Sequence, residues 1–169
     1  ESVIVGPSES MSKSKRNTID PGKMIETYGA DAVRLFILSD SPPEKDIQWS
    51  ESGMSSAHKF IQKFWLLSEK ILKILEKKQT VLNNELEIFT NQSIQRINQA
   101  LDKFRYNVIV AVFHEVYNFY SKIINNEENY KNLENNFLKT LIVMSPLIPH
   151  ITNELLTKIN KQEKIDWPI

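Results

Sequence analysis

Cysteine is absent from the 169 residues, and with it go disulfides, thiolate metal sites and thiol nucleophiles. Glycine is scarce and unevenly placed. Gly6, Gly22, Gly29 and Gly53 all fall in the first third, so the chain divides into an irregular N-terminal part and a long regular remainder, with the boundary near Ser50. Net charge is also lacking: Lys and Arg total 21, as do Asp and Glu, which excludes a histone-like or tail-driven nucleic-acid binder and makes any basic surface local. No apolar run approaches the roughly 18 residues that a bilayer span requires, and the first residues do not run from basic to apolar as a secretion signal does. The chain reads as soluble and intracellular. Only three histidines occur, at His58, His114 and His150, with no pair four apart; His114-Glu115 begins like a zinc-protease motif, but Asn118 stands where the second ligand belongs. No metal site is expected.

What is present suits a globular fold. Hydrophobic residues make up 41% and charged residues 25%, enough to build a core. Val3-Ile4-Val5-Gly6-Pro7 has the pattern of a strand end and turn, followed by a polar segment to Asn17. Asp20-Pro21 supplies a cap and a first-turn proline for a helix from Pro21 to Tyr28, which Gly29 closes. A second helix is predicted from Asp31 to Ser39 with Val33, Phe36 and Ile37 on one face, stopped by Ser41-Pro42-Pro43. From Ser52 to Lys77, Phe60, Phe64, Leu67, Ile71 and Ile74 recur at helical spacing on one stripe. The stripe resumes with Ile94, Ile97, Leu101, Phe104 and Val108 and continues through Val112, Val116, Phe119 and Ile123, as two helices broken near Tyr106-Asn107. Another helix runs from Leu133 to Met144 with Phe137, Leu141 and Met144 inward. Pro146 and Pro149 bracket a break before a last helix with Ile151, Leu155 and Ile159. The fold class is therefore mainly α: a small mixed α/β subdomain over residues 1–50, then an antiparallel helical bundle over 51–169.

The segment Ser10-Met11-Ser12-Lys13-Ser14-Lys15-Arg16-Asn17 places three cations and three hydroxyls within eight residues. Ammonium groups beside hydroxyl and amide donors suit a phosphate chain whose charge is spread over several oxygens. Pattern alone also fits a solvated loop, and the scarcity of apolar residues predicts that the segment moves. Gly22-Lys23 is no phosphate-binding P-loop, because Asn17 and Met24 occupy the positions of its glycine and its hydroxyl residue. Asp31 and Arg34, three apart on their helix, are expected to form a structural pair or a cap, and Trp49 to act as a packing anchor rather than a base-stacking platform. The long helix from Ser52 carries Lys59, Lys63, Lys70, Lys73, Lys77 and Lys78 against Glu69 and Glu76, a face that either tracks a nucleic-acid backbone or is merely solvated.

Met11-Ser12-Lys13-Ser14 resembles the last four positions of the Lys-Met-Ser-Lys-Ser loop of class I aminoacyl-tRNA synthetases, with Ser10 in place of the first lysine. The continuation through Asp20-Pro21, Tyr28-Gly29-Ala30-Asp31, Arg34-Leu35-Phe36, Ser41-Pro42-Pro43-Glu44 and Trp49-Ser50-Glu51 is similar to the leucyl-tRNA synthetase family of bacterial or organellar type. The stretch from Met144 to Leu155 and Trp167-Pro168 resemble that family's helical anticodon-binding domain. The resemblance implies a fragment of a leucine-tRNA ligase, which joins leucine to its tRNA at the expense of ATP. Lys13 would be the catalytic residue, stabilising charge on the departing pyrophosphate. Met11, Ser12, Lys13 and Ser14 would bind ATP, and Lys15, Arg16, Lys59, Lys63 and Lys70 would meet tRNA or phosphates. It further implies ATP as substrate with Mg2+ in the full-length enzyme and no cofactor held by this part alone. Leucine and leucine tRNA are the implied partners, met through backbone and shape more than through the anticodon; a monomer, a cytoplasmic location and no membrane contact complete the expectation. The family's His-Ile-Gly-His signature, nucleotide-binding sheet and editing domain are missing from the sequence, so the fragment by itself is expected to be inactive. A freestanding, non-catalytic RNA-binding or scaffold module derived from a synthetase is the competing reading.

Overall fold

The computed structural model describes residues 9–39, 42, 44–159 and 166–168. Among these there are seven α-helices and no strand; the strand expected at Val3–Val5, on which the mixed α/β character rested, lies outside the described residues. α1 (Pro21–Tyr28) is punctuated as its sequence dictates. Asp20 Oδ1 accepts from the amide of Gly22 at 2.9 Å, Pro21 opens the first turn, and Gly29 at φ 83° returns its N–H to the Ile25 carbonyl at 2.9 Å.

α2 (Ala30–Ser39) packs on α3 (Glu51–Leu75), α5 (Tyr106–Ile123) and α7 (Pro149–Ile159). Its buried face is Asp31, Ala32, Leu35 and Phe36, whereas Ile37 is exposed and Val33 half-buried, so the predicted face is corrected by a rotation of about one residue. Spacing alone favours the larger Val33 and Ile37, but the small Ala32 lets the helix approach its neighbours closely. The approach is tight: a Cβ on Gly53 would stand 2.7 Å from the Phe36 ring, and Trp49 meets the same ring edge-on at 5.3 Å, an anchor as expected.

The bundle follows the 3.6-residue pattern. Ser50 caps α3 by accepting from Gly53 N at 3.1 Å, and Phe60, Phe64, Leu67, Ile71 and Ile74 are all buried. Each large apolar side chain removed from water contributes about 1.5–3 kcal/mol. α4 (Asn84–Leu101) and α5 are antiparallel neighbours, but they part at residues 102–105 rather than at Tyr106-Asn107, which begin α5. Phe104 sits in that turn at φ 52° and is exposed, as is Val108, because the turn breaks the phase of the stripe. α6 (Leu133–Met144) brings Phe137, Leu141 and Met144 to the centre as expected, where Tyr120 lies against Phe137. Burial pushes the Tyr120 hydroxyl up to about 12, and it lies 3.2 Å from Thr140 Oγ1. Where α3 ends, the buried Asn129 amide donates to the carbonyl of Leu75 (3.1 Å), closing one of the helix's free acceptors, and to that of Lys77 just beyond it (2.7 Å). None of the helices is long and apolar enough to cross a membrane.

Candidate functional site

The segment holding Lys13 is a turn folded on its own side chains. Asn17 organises it: Oδ1 accepts from the Ser12 amide at 2.8 Å, and Nδ2 donates to the Ser10 carbonyl at 3.3 Å. Ser12 Oγ accepts from the Lys15 amide at 3.3 Å and lies 3.2 Å from Ser14 Oγ, and the Arg16 amide returns to the Lys13 carbonyl at 3.2 Å. Arg16 takes φ 53°, the left-handed conformation that ends such a turn. The scarcity of apolar residues pointed to a segment with nothing to hold it; polar local bonds hold this one, a possibility that Asn17, the last residue of the motif, already signalled.

The cations in the turn are not equivalent. Lys15 Nζ is paired with Glu9 Oε2 at 2.9 Å, both exposed, a bond worth about 0–1 kcal/mol. Lys13 is exposed, and among the described residues its ammonium has no partner. Met11 is exposed too, so the turn presents Met11, Ser14, Lys13 and Arg16 outward around hydroxyls already oriented by the Asn17 clasp. The arrangement offers donors and, among the described residues, two unpaired cations, Lys13 and Arg16. Among the described residues its one carboxylate, that of Glu9, is taken up by Lys15, and a turn of hydroxyls and cations suits an anion.

The helix lysines divide. Lys63 and Lys70 line a groove of about 660 Å³ together with Lys73 and Lys77, walled on the far side by Tyr117, Ser121 and Asn125. Lys59 lies one turn before Lys63, exposed, and outside that lining. Lys77 Nζ is 2.6 Å from Glu127 Oε2, and this pairing holds the Glu127 carboxyl below its ordinary value. Lys73 and Lys77 therefore join the surface, which carries four ammonium groups against one carboxylate. Helical spacing alone could not show that α5 would supply the opposite wall. A second, largely apolar hollow of about 780 Å³, between Tyr28, Ile61, Trp65, Leu66 and Ile151, contains none of the turn's residues.

Three histidines have structural surroundings. His58 Nδ1 lies 2.8 Å from the Tyr28 carbonyl at the end of α1; His114 packs on Phe60, and burial pushes its pKa down. His150 Nδ1 lies 2.9 Å from Asp31 Oδ1 at the start of α7, a structural setting, and of the two roles expected for Asp31 and Arg34, a pair or a cap, the structure takes the cap. Asp31 and Arg34 do not pair with each other but reach across the fold to residues 146–151, because α2 lies against the joint of α6 and α7.

The chain is similar to known proteins over most of its length. The anticodon-binding domain family of tRNA ligases matches residues 83–169, and the class I tRNA synthetases for I, L, M and V match residues 3–50. The leucine–tRNA ligase of Rickettsia bellii is 40% identical over 158 residues, covering 93% of this chain and 19% of that protein. That of Rickettsia felis is 38% identical over 164 residues, covering 96% and 20%, and that of Bartonella henselae 34% over 182 residues, covering 99% and 20%. The chain thus spans about a fifth of the length of the curated relatives it matches. The fold is shared with LeuRS of Agrobacterium radiobacter K84, solved as a ternary complex with tRNA and LeuAMS, at TM-score 0.78 and 21% identity over 90% of this chain and 20% of that one.

Proposed function

Because the chain belongs to the anticodon-binding domain family of tRNA ligases, we propose that it is the part of a leucine–tRNA ligase that supplies the phosphate-binding turn and the tRNA-binding helical bundle. Residues 1–50 end the catalytic domain and residues 51–169 form the tRNA-facing bundle. The whole enzyme activates leucine with ATP and transfers it to leucine tRNA, as a cytoplasmic monomer. The observation that carries this reading is Lys13, whose ammonium is unpaired among the described residues, on a turn where the Ser12 and Ser14 hydroxyls lie together, in a chain alike to leucine–tRNA ligases over nearly its full length.

When the leucine carboxylate attacks the α-phosphorus of ATP, negative charge grows on the departing pyrophosphate. Lys13, paired with no carboxylate among the described residues, meets that charge, and the interaction is stronger in the transition state than before it. Met11, Ser12 and Ser14 bind the triphosphate beside it. Mg2+ would travel with the ATP, since the turn's own donors repel a cation. Lys15 and Arg16 meet phosphates at the rim, Lys15 after exchanging Glu9 for them. On the bundle, Lys63 and Lys70 contact the tRNA backbone within the groove, with Lys59 a turn beyond; such binding weakens steeply with salt.

In the full-length ligase, Lys13→Ala is expected to lower leucine-dependent ATP–pyrophosphate exchange roughly 100-fold, about 3 kcal/mol of transition-state stabilisation. An unchanged rate refutes the role of Lys13. The 169-residue chain alone, spanning about a fifth of the length of the leucine–tRNA ligases it matches, should show no exchange.

A further inference from the structure

The start of α7 lacks a cap of its own. It reads Pro149-His150-Ile151, and the residue before it, Ile148, has no side-chain acceptor for the free amides of a first turn. Those amides find a carboxylate far away in the sequence. The N–H of His150 donates to Asp31 Oδ1 at 3.2 Å and that of Ile151 to Oδ2 at 2.7 Å, and His150 Nδ1 lies 2.9 Å from Oδ1. One turn along α2, Arg34 serves the opposite pole: Nε donates to the Leu147 carbonyl at 3.1 Å and Nη2 to the Pro146 carbonyl at 2.6 Å. An anion meets the amide end and a cation the carbonyls before it, so each side chain opposes the partial charge it faces. Asp31 is only 6% exposed, a burial that a carboxylate tolerates when its oxygens are hydrogen-bonded.

Only α1 separates α2 from the turn of Lys13, whereas the α6–α7 joint belongs to the bundle. α7 is itself tied to α3, the lysine-bearing helix, by Lys158, which lies 2.9 Å from Glu69 and over the Trp65 ring at 4.3 Å. Apolar packing of Ala32, Leu35 and Phe36 holds α2 in place, and hydrogen bonds at both poles of the joint add directional contacts that constrain its angle further. We propose that Asp31 and Arg34 are positioning residues that fix the angle between the Lys13 turn and the lysine groove, and hence the placement of tRNA relative to the site of leucine activation. This rests on the ligase reading above.

The test compares Asp31→Asn and Arg34→Gln with the wild-type full-length ligase in two assays. Leucine-dependent ATP–pyrophosphate exchange, which needs no tRNA, is expected to stay within about threefold. In tRNA charging, the KM for leucine tRNA is expected to rise about tenfold or more, with a smaller fall in kcat, and Arg34→Lys to recover part of the loss. A merely structural role would lower exchange and charging in equal proportion and leave KM unmoved; that result overturns the proposal. Should Asp31→Asn fail to fold, Arg34→Gln still decides, because Arg34 is exposed and its loss leaves no buried charge, and an unchanged KM in that variant is sufficient to reject the idea. If the wild type shows no leucine-dependent exchange, the ligase reading fails and this proposal falls with it.

Discussion

The turn of Lys13 and the joint between α6 and α7 are both short non-helical connections, the first polar and the second carrying the buried Leu147 and Ile148, and they are held in opposite ways. Every hydrogen bond given above for the turn is made within residues 9–17, and most are exposed. The joint is held by Asp31 and Arg34 across sequence separations of 112 to 120 residues, with the Asp31 carboxylate buried. An exposed local bond is readily exchanged for water or a ligand, while a buried long-range one is kept because breaking it strands a charge. The part expected to adapt to a triphosphate is thus local, and the part expected to keep an angle is global.

The largest test of this contrast lies in the packed side of the molecule. Phe137 is fully buried against Tyr120, and Phe137→Ala should cost about 3–5 kcal/mol in urea unfolding of the chain. A loss below about 1 kcal/mol would mean that the bundle is not held by its core.

An intermediate effect is expected at Glu87, a partly exposed carboxylate that makes a long-range contact. It accepts from Asn136 Nδ2 at 2.9 Å, joining α4 to α6, and this bond, ahead of a further one from Asn132, holds its carboxyl below the ordinary value of 4.5. A carboxyl whose pKa is depressed by folding stabilises the fold when ionised. Its contribution is full above pH 4.5 and is lost as the pH falls through the lower folded value. The thermal midpoint of Glu87→Gln should therefore lie below that of the wild type at pH 7, and the gap should close in acid; a gap independent of pH contradicts the assignment.

The smallest effect is predicted for the local side. Asn17→Ala removes both bonds of the clasp, yet the global stability should change by less than about 0.5 kcal/mol, while amide exchange at Ser12 accelerates. A large loss of stability would show that the turn is tied to the core after all.

Much of the fold was legible because helix signals are local. Asp20-Pro21 and Gly29 delimit α1, the spacing of Phe60 to Ile74 marks the inner face of α3, and α6 runs between the residues expected. The match of Met11 to Ser14 to a known loop, and of the proline-bracketed last helix to a known domain, was likewise contained in short strings. Less legible were positions whose surroundings come from elsewhere. Phe104 continues the stripe by count but sits in the turn that interrupts it, and Ile37 gives way to Ala32 on the buried face of α2. A signal for the α7 cap did exist: a helix start flanked by prolines, with Ile148 at the capping position, calls for an acceptor from outside.

Taken by itself, the sequence determined where α1 and α6 begin and end, which stripe of α3 is apolar, and which string carries Lys13, since all of these depend on residues within one or two turns of one another. The tertiary structure alone decided that Asp31 and Arg34 serve the ends of two other helices, and that Lys63, Lys70, Lys73 and Lys77 share a groove with α5. Those outcomes depend on which buried faces meet, and packing of whole helices settles that at a range no local pattern encodes.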